Sequence, residues 1–186
     1  HPPGQRVPYC NLGFVLLGDI IERASGMDLD SFLIQNIWQP LGMTDTMFNP
    51  SHHLYDRIVA TEYLPDLKKV KRGIVHDENA ELLGGIAGHA GTFSTVTDLG
   101  KFCSFILDLW NNEERIFSSK LVRQSLDNLT KSLNESRGLA WQIFHEAEES
   151  LVVGHYGFTG TTIWIDVKQN KYMVLLTNRV HPSREN

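Results

Sequence analysis

Tyr9 and Asn11 flank Cys10 at the point where a proline-bearing extended stretch meets a helical pattern. That placement lets a phenol and an amide face one cleft, with the helix N-terminus adding positive potential. Far along the chain, His155 ends a β-type run and is followed by Tyr156, Gly157 and Phe158, an imidazole of the type that serves acid–base chemistry. Each has a plain alternative: a tyrosine packed at a helix start beside an asparagine cap, a satisfied strand histidine, and glycines at Gly157 and Gly160 that mark a bulge. His76, Asp77, Glu78 and His89 are of metal-ligating types, but no metal is assigned to them. His145-Glu146 has no second histidine four positions on, and Gly-x-Ser-x-Gly is missing from the sequence, so the zincin and nucleophile-elbow readings fail.

The elements that must position these residues follow from periodicity. Asn11 can cap a helix with apolar Phe14, Leu17, Ile20, Ile21 and Ala24, which Gly26 ends. A second helix is expected from about Asp30 to Trp38, stopped by Pro40 and Gly42. Residues 49–91 read as loops with short local structure, punctuated by glycine and proline. Thr95 and Asp98 resemble a capping box opening a helix that reaches about Trp110, and Ser118 opens another through about Leu129. Four β-type runs follow, Leu139 to Phe144, Leu151 to His155, Thr161 to Asp166 and Tyr172 to Thr177, which look like antiparallel hairpins. Helices first and a meander afterwards indicate an α+β arrangement of helices on one antiparallel sheet, with no domain boundary inside the chain.

Composition narrows the partners. The net charge is −5 and the only basic run, Lys68, Lys69, Lys71 and Arg72, is short, so no nucleic-acid partner is expected. No run approaches the roughly 20 apolar residues of a membrane helix, and the chain is expected to be water soluble. Cys10 and Cys103 are too few for a disulfide framework and read as free thiols. Asn128-Leu129-Thr130 and Asn134-Glu135-Ser136 match glycosylation acceptors, triplets that arise often by chance. The compartment stays open, cytoplasmic or exported.

Several motifs in order carry a resemblance. Tyr9-Cys10-Asn11-Leu12-Gly13-Phe14, followed by Leu17-Gly18, Ile21-Glu22, Ser25-Gly26 and Pro40-Leu41-Gly42-Met43, is similar to the Tyr-Ser-Asn segment of class C β-lactamase-like serine hydrolases. Gly88-His89-Ala90-Gly91-Thr92-Phe93-Ser94-Thr95 resembles that family's glycine-rich turn, and Gly154-His155-Tyr156-Gly157-Phe158-Thr159-Gly160-Thr161 its Lys/His-Thr-Gly strand. Residues 75–80 and 177–182 resemble a bacterial subgroup related to low-molecular-mass penicillin-binding proteins. Cys10 stands where the family has Ser, and Tyr156 where it has Thr, which bears on how a substrate carboxylate is held.

The resemblance implies a β-lactamase/transpeptidase-like fold and acyl transfer to a serine, with a small-molecule or peptide substrate and no cofactor. It makes Tyr9 the general base or proton relay, a phenol whose ordinary value of ~10 suits it to neutral pH only beside cations. Asn11 would hydrogen-bond the substrate amide, His155 and Gly157 would form the strand edge, and the Phe158 N–H would be one oxyanion donor. The family's nucleophile is the Ser of Ser-x-x-Lys, and no serine of this chain has Lys three residues later. The expectation is therefore a C-terminal portion whose nucleophile lies before His1, inactive alone, with a sheet incomplete at the N-terminus and open to self-association. The competing expectation is a non-catalytic scaffold of the same fold that binds cell-wall peptides; a third is an esterase.

Overall fold

The computed structural model describes residues 2–113 and 116–185. Their backbone contacts divide the chain into two compact units: residues up to Tyr9 with Leu99–Gly157 and Thr162–Leu175, and Cys10–Asp98 with Phe158–Thr161 and the chain from Leu176 on.

In the second unit α1 (Asn11–Ser25) starts one residue earlier than expected, on the residue read as its cap. Cys10, extended at φ −147°, holds the cap position without a side-chain hydrogen bond, and Asn11 is the first helical residue. A thiol is a weak acceptor, so this helix gains no side-chain cap from it. Gly26 ends the helix as expected, left-handed at φ 70° with its N–H on the Glu22 carbonyl. Of the apolar positions read as its inner face, Phe14 and Ile21 are half-buried, whereas Leu17 and Ile20 are exposed together with Leu12 and Leu16. Gly88 lets the glycine-rich turn press onto α1, since a Cβ there would strike the Phe14 carbonyl oxygen.

The second helix begins within a residue of its expected start. Asp28 accepts from the Ser31 N–H at 2.8 Å and caps α2 (Leu29–Leu33), which widens into a π turn over Ile34–Trp38. The wider turn carries Ile37 and Trp38 together into the buried set. The loop-rich stretch contains a two-stranded hairpin, β1 (Tyr63–Leu64) with β2 (Lys69–Val70), and a short α3 (Glu78–Leu82) capped by Asp77, which accepts from the Ala80 N–H.

The helix α4 (Val96–Trp110) starts where the capping residues placed it: the Asp98 N–H donates to Thr95 Oγ1 at 3.2 Å. The Asp98 carboxylate, buried, also accepts from the Asp45 N–H at 2.7 Å and the Thr46 hydroxyl at 3.0 Å. In the first unit α4 buries Cys103, Phe105 and Leu109. There α5 (Ser119–Leu126) ends about a turn short of the expected Leu129, because Asp127 turns extended and the Leu129 N–H pairs with the Arg137 carbonyl.

The four expected strands form one antiparallel meander in the order β3 (Gln142–Glu146), β4 (Leu151–Tyr156), β5 (Thr161–Asp166) and β6 (Lys171–Leu176). β4 pairs with β5 through Val153↔Ile165 and His155↔Ile163, and a bulge in β3 lies between Ile143 and His145. Alternation sends Leu151, Val153 and His155 to one face, with Val153 and Ile165 fully buried. No helix among the described residues is long and apolar enough to cross a membrane.

Candidate functional site

Tyr9 ends the extended stretch, and that stretch is gripped by a loop. The Val7 N–H donates to Asn134 Oδ1 at 2.8 Å and Asn134 Nδ2 returns a bond to the Val7 carbonyl at 3.1 Å, so one side-chain amide imitates a neighbouring strand. The Tyr9 ring, half-exposed, lies with its centroid 5.7 Å from that of His155 and 5.6 Å from the Arg137 guanidinium carbon. Two residues from opposite ends of the sequence are thus brought together in the first unit.

His155 is held by the sheet. Its Nδ1 lies 2.8 Å from the Tyr156 carbonyl oxygen, which can only accept, so the ring proton sits on Nδ1 and the neutral imidazole keeps its lone pair on Nε2. Its own carbonyl takes the Thr162 hydroxyl at 3.0 Å. Tyr156 projects to the other face of β4, where its ring packs edge-on against Phe144 at 5.0 Å and lies near Trp164 at 6.3 Å. Gly157, just past β4, is the last residue of that segment of the first unit.

Asn11 and Phe158 belong to the second unit. Phe158 packs against an imidazole and a guanidinium: His76 stacks on it at 5.8 Å and the Arg179 guanidinium lies 4.5 Å from its centroid. Arg179 Nε also donates to the Phe158 carbonyl at 2.8 Å, and the Arg179 N–H to the Thr159 carbonyl at 3.0 Å. The turn then passes through Gly160, whose φ of +102° favours glycine, and whose carbonyl accepts from the Thr177 hydroxyl.

The four residues with metal-ligating side chains are each taken up by another partner. His76, buried, meets Glu62 at 3.1 Å; Glu78 meets Arg184 at 2.5 Å; His89 Nε2 meets Asp77 at 3.0 Å. Among the described residues no group of three or more His, Cys, Asp or Glu could hold a metal ion. The Arg184 guanidinium, bonded to Glu62 Oε1 at 2.9 Å and Oε2 at 2.6 Å, holds that carboxyl well below its ordinary range, at about 2. Burial works against ionisation of Asp77, and bonds from the Ala80 N–H and His89 outweigh it, so Asp77 too lies below the usual range. Cys103 is excluded as a nucleophile, since burial pushes its thiol up to about 12.

Arg137 and Asn134 are site neighbours that the sequence did not single out. Both belong to a loop far from Tyr9 in sequence, and the only local signal on them was the glycosylation triplet at Asn134. The amides of both triplets are engaged within the protein, Asn134 on Val7 and Asn128 on Glu146 at 2.9 Å.

The Beta-lactamase family model matches residues 1–186. A protein of Escherichia coli O157:H7, provisionally named a D-alanyl-D-alanine carboxypeptidase, is 30% identical over 207 residues, 97% of this chain and 47% of that protein. The chain thus spans about half the length of the curated relatives it matches. Among solved structures, a β-lactamase from Mycobacterium bovis covers 96% of this chain and 58% of its own at 22% identity, with a TM-score of 0.66. The simvastatin synthase of Aspergillus terreus covers 95% of this chain and 51% of its own at 20% identity, with a TM-score of 0.69.

Proposed function

The chain belongs to the Beta-lactamase family, and on that footing we propose that it is the C-terminal portion of a serine hydrolase that cleaves a D-Ala-containing peptide, a β-lactam or an ester through an acyl-enzyme. The observation that carries the reading is the approach of the Tyr9 and His155 rings, 5.7 Å between centroids, which brings one residue of each motif together within the first unit.

In this reading the serine of a Ser-x-x-Lys, supplied by the part of the relatives' length that this chain does not span, attacks the carbonyl. Tyr9 takes its proton and returns it to the leaving group. His155, with its lone pair on Nε2, accepts a hydrogen bond from the phenol or the substrate. Asn11 orients the substrate amide, and the Phe158 N–H, set by the turn that His76 and Arg179 hold, donates to the oxyanion. Tyr156 and Gly157 offer the strand edge to the substrate through their backbone, and the Tyr156 ring, packed on the other face against Phe144, brings no threonine hydroxyl to it.

The exposed apolar residues Leu12, Leu16, Leu17 and Ile20 of α1, with Tyr172, Met173, Leu175 and Leu176 on the edge strand β6, support the same reading. Such surfaces are templates for further chain. The chain alone is then inactive and self-associates, and light scattering that shows a stable lone monomer would count against this.

The test is intact-mass analysis with a fluorescent penicillin, on this chain and on the product of the full reading frame that contains it. Covalent labelling of the longer protein alone supports the proposal. A reading frame without Ser-x-x-Lys and without labelling points to a peptide-binding scaffold of the same fold; turnover of a p-nitrophenyl ester without penicillin labelling points to an esterase.

A further inference from the structure

An N–H that receives an oxyanion is effective only while it points at one place, so whatever fixes the backbone at Phe158 bears on the rate. The turn over residues 158–161 is fastened by the segment that follows β6, and both belong to the second unit. The Thr177 N–H donates to the Gly160 carbonyl at 3.2 Å, as does the Thr177 hydroxyl, and the Arg179 N–H donates to the Thr159 carbonyl. The two segments touch so closely that a Cβ on Gly160 would lie 2.5 Å from Thr177 Oγ1 and 3.2 Å from the Arg179 nitrogen. The Arg179 side chain reaches back one residue further. Its Nε bonds the Phe158 carbonyl at 2.8 Å while the guanidinium carbon lies 4.5 Å from the centre of the Phe158 ring. One side chain thus holds a backbone group and the ring of the same residue.

The residues around Arg179 are themselves anchored. The Asn178 side-chain amide donates to the Ala60 carbonyl, His181 Nδ1 donates to the Thr61 carbonyl at 2.7 Å, and the Tyr63 N–H donates to the Pro182 carbonyl at 2.8 Å. Val180 between them is fully buried. Arg179 is therefore a fixed post from which the Phe158 turn is held.

We propose that Arg179 is a positioning residue for the oxyanion donor, holding Phe158 by its carbonyl and its ring so that the N–H keeps its aim while charge develops on the substrate oxygen. The inference rests on the reading in which the Phe158 N–H is that donor. A donor already aimed needs no reorganisation during the reaction, so its benefit falls on the transition state and not on ground-state binding. Both the bond and the stack use the planar guanidinium, which a lysine ammonium does not reproduce.

The experiment is acylation of the full-length protein by a penicillin and by p-nitrophenyl acetate, resolved into maximum rate and half-saturating concentration, with the thermal midpoint recorded for each variant. Arg179→Ala is expected to lower the maximum rate about 10–100-fold with both reagents, up to the lower end of the loss of a whole donor. Half-saturation and midpoint stay near the wild-type values. Arg179→Lys loses nearly as much, and ethylguanidinium, but not ethylammonium, restores part of the rate in Arg179→Ala. Thr177→Val, which loosens the same turn without removing a charge, shows the same pattern at about threefold. Maximum rates that stay unchanged in the Arg179 variants, or full retention in Arg179→Lys, overturn the positioning while leaving the serine chemistry in place. A loss confined to half-saturation by penicillin means that Arg179 binds the substrate carboxylate directly, and a rate that falls only in step with the midpoint makes Arg179 architectural; either overturns it. A wild-type protein acylated by neither reagent overturns the hydrolase reading itself, and the inference with it.

Discussion

Two histidines, one in each unit, show how the molecule separates holding from reacting. His76 is buried against the Glu62 carboxylate, which Arg184 also grips with two guanidinium nitrogens, and Arg184 reaches on to Glu78. Charge is saturated there, and the network ties the C-terminal tail to residues 122 positions away in sequence. His155 is bonded through Nδ1 to the Tyr156 carbonyl, and its ring neighbour Tyr9 is half-exposed. The first ring is packed into a network of ion pairs, and the second lies beside a phenol. In the proposed function the first cluster is architecture and the second carries proton transfer.

Substitutions sharpen that contrast when rate and stability are read together. His155→Ala in the full-length protein is expected to lower the rate of penicillin acylation by about 10²-fold or more, the usual weight of a positioned acid–base group, while leaving the thermal midpoint nearly unchanged. A large loss of stability with normal acylation would put His155 with the architectural residues.

Glu62→Gln is expected to behave the other way, destabilising by roughly 2–3 kcal/mol in a denaturant titration, because it removes a carboxylate bonded to both Arg184 and His76. An unchanged midpoint would dissolve the distinction between the clusters. Acid titration follows from the same carboxyl. Its folded value is lowered from 4.5 to about 2, so the stability it contributes is present above pH 4.5 and lost as pH falls towards about 2. Unfolding monitored from pH 5 to 2 is expected to show that loss in the wild type, and a flatter dependence in Glu62→Gln. The smallest effect is chemical: a limiting thiol reagent is expected to modify exposed Cys10 and to spare Cys103 until the protein unfolds, read by peptide mass.

Much of this arrangement was legible in the sequence where the signal is local. Gly26 announced a helix end, Thr95 a helix start, and period-2 runs placed β4 and β5 within a residue of their observed bounds. What escaped was short or long-range. β1 and β2 have two residues each, too few for any period to show, and the π turn at Ile34–Trp38 reads as ordinary helix because its residues have no distinctive type. The start of α1 slipped by one because Asn11 is the better capping residue by type, yet the backbone turns at Cys10. The motifs located Tyr9 and His155. Nothing in residues 134–137 foretold that Asn134 would grip Val7 or Arg137 lie beside Tyr9, since side-chain partners far apart in sequence leave no periodic trace.

The most direct test of the account is a double-mutant cycle on Tyr9 and His155, read as the acylation rate of the full-length protein by a penicillin. If the two form one proton-transferring unit, Tyr9→Phe with His155→Ala is expected to be no slower than the worse single variant, within about threefold. Losses that multiply would mean that the two residues act independently, and would contradict the joined site on which the proposed chemistry rests.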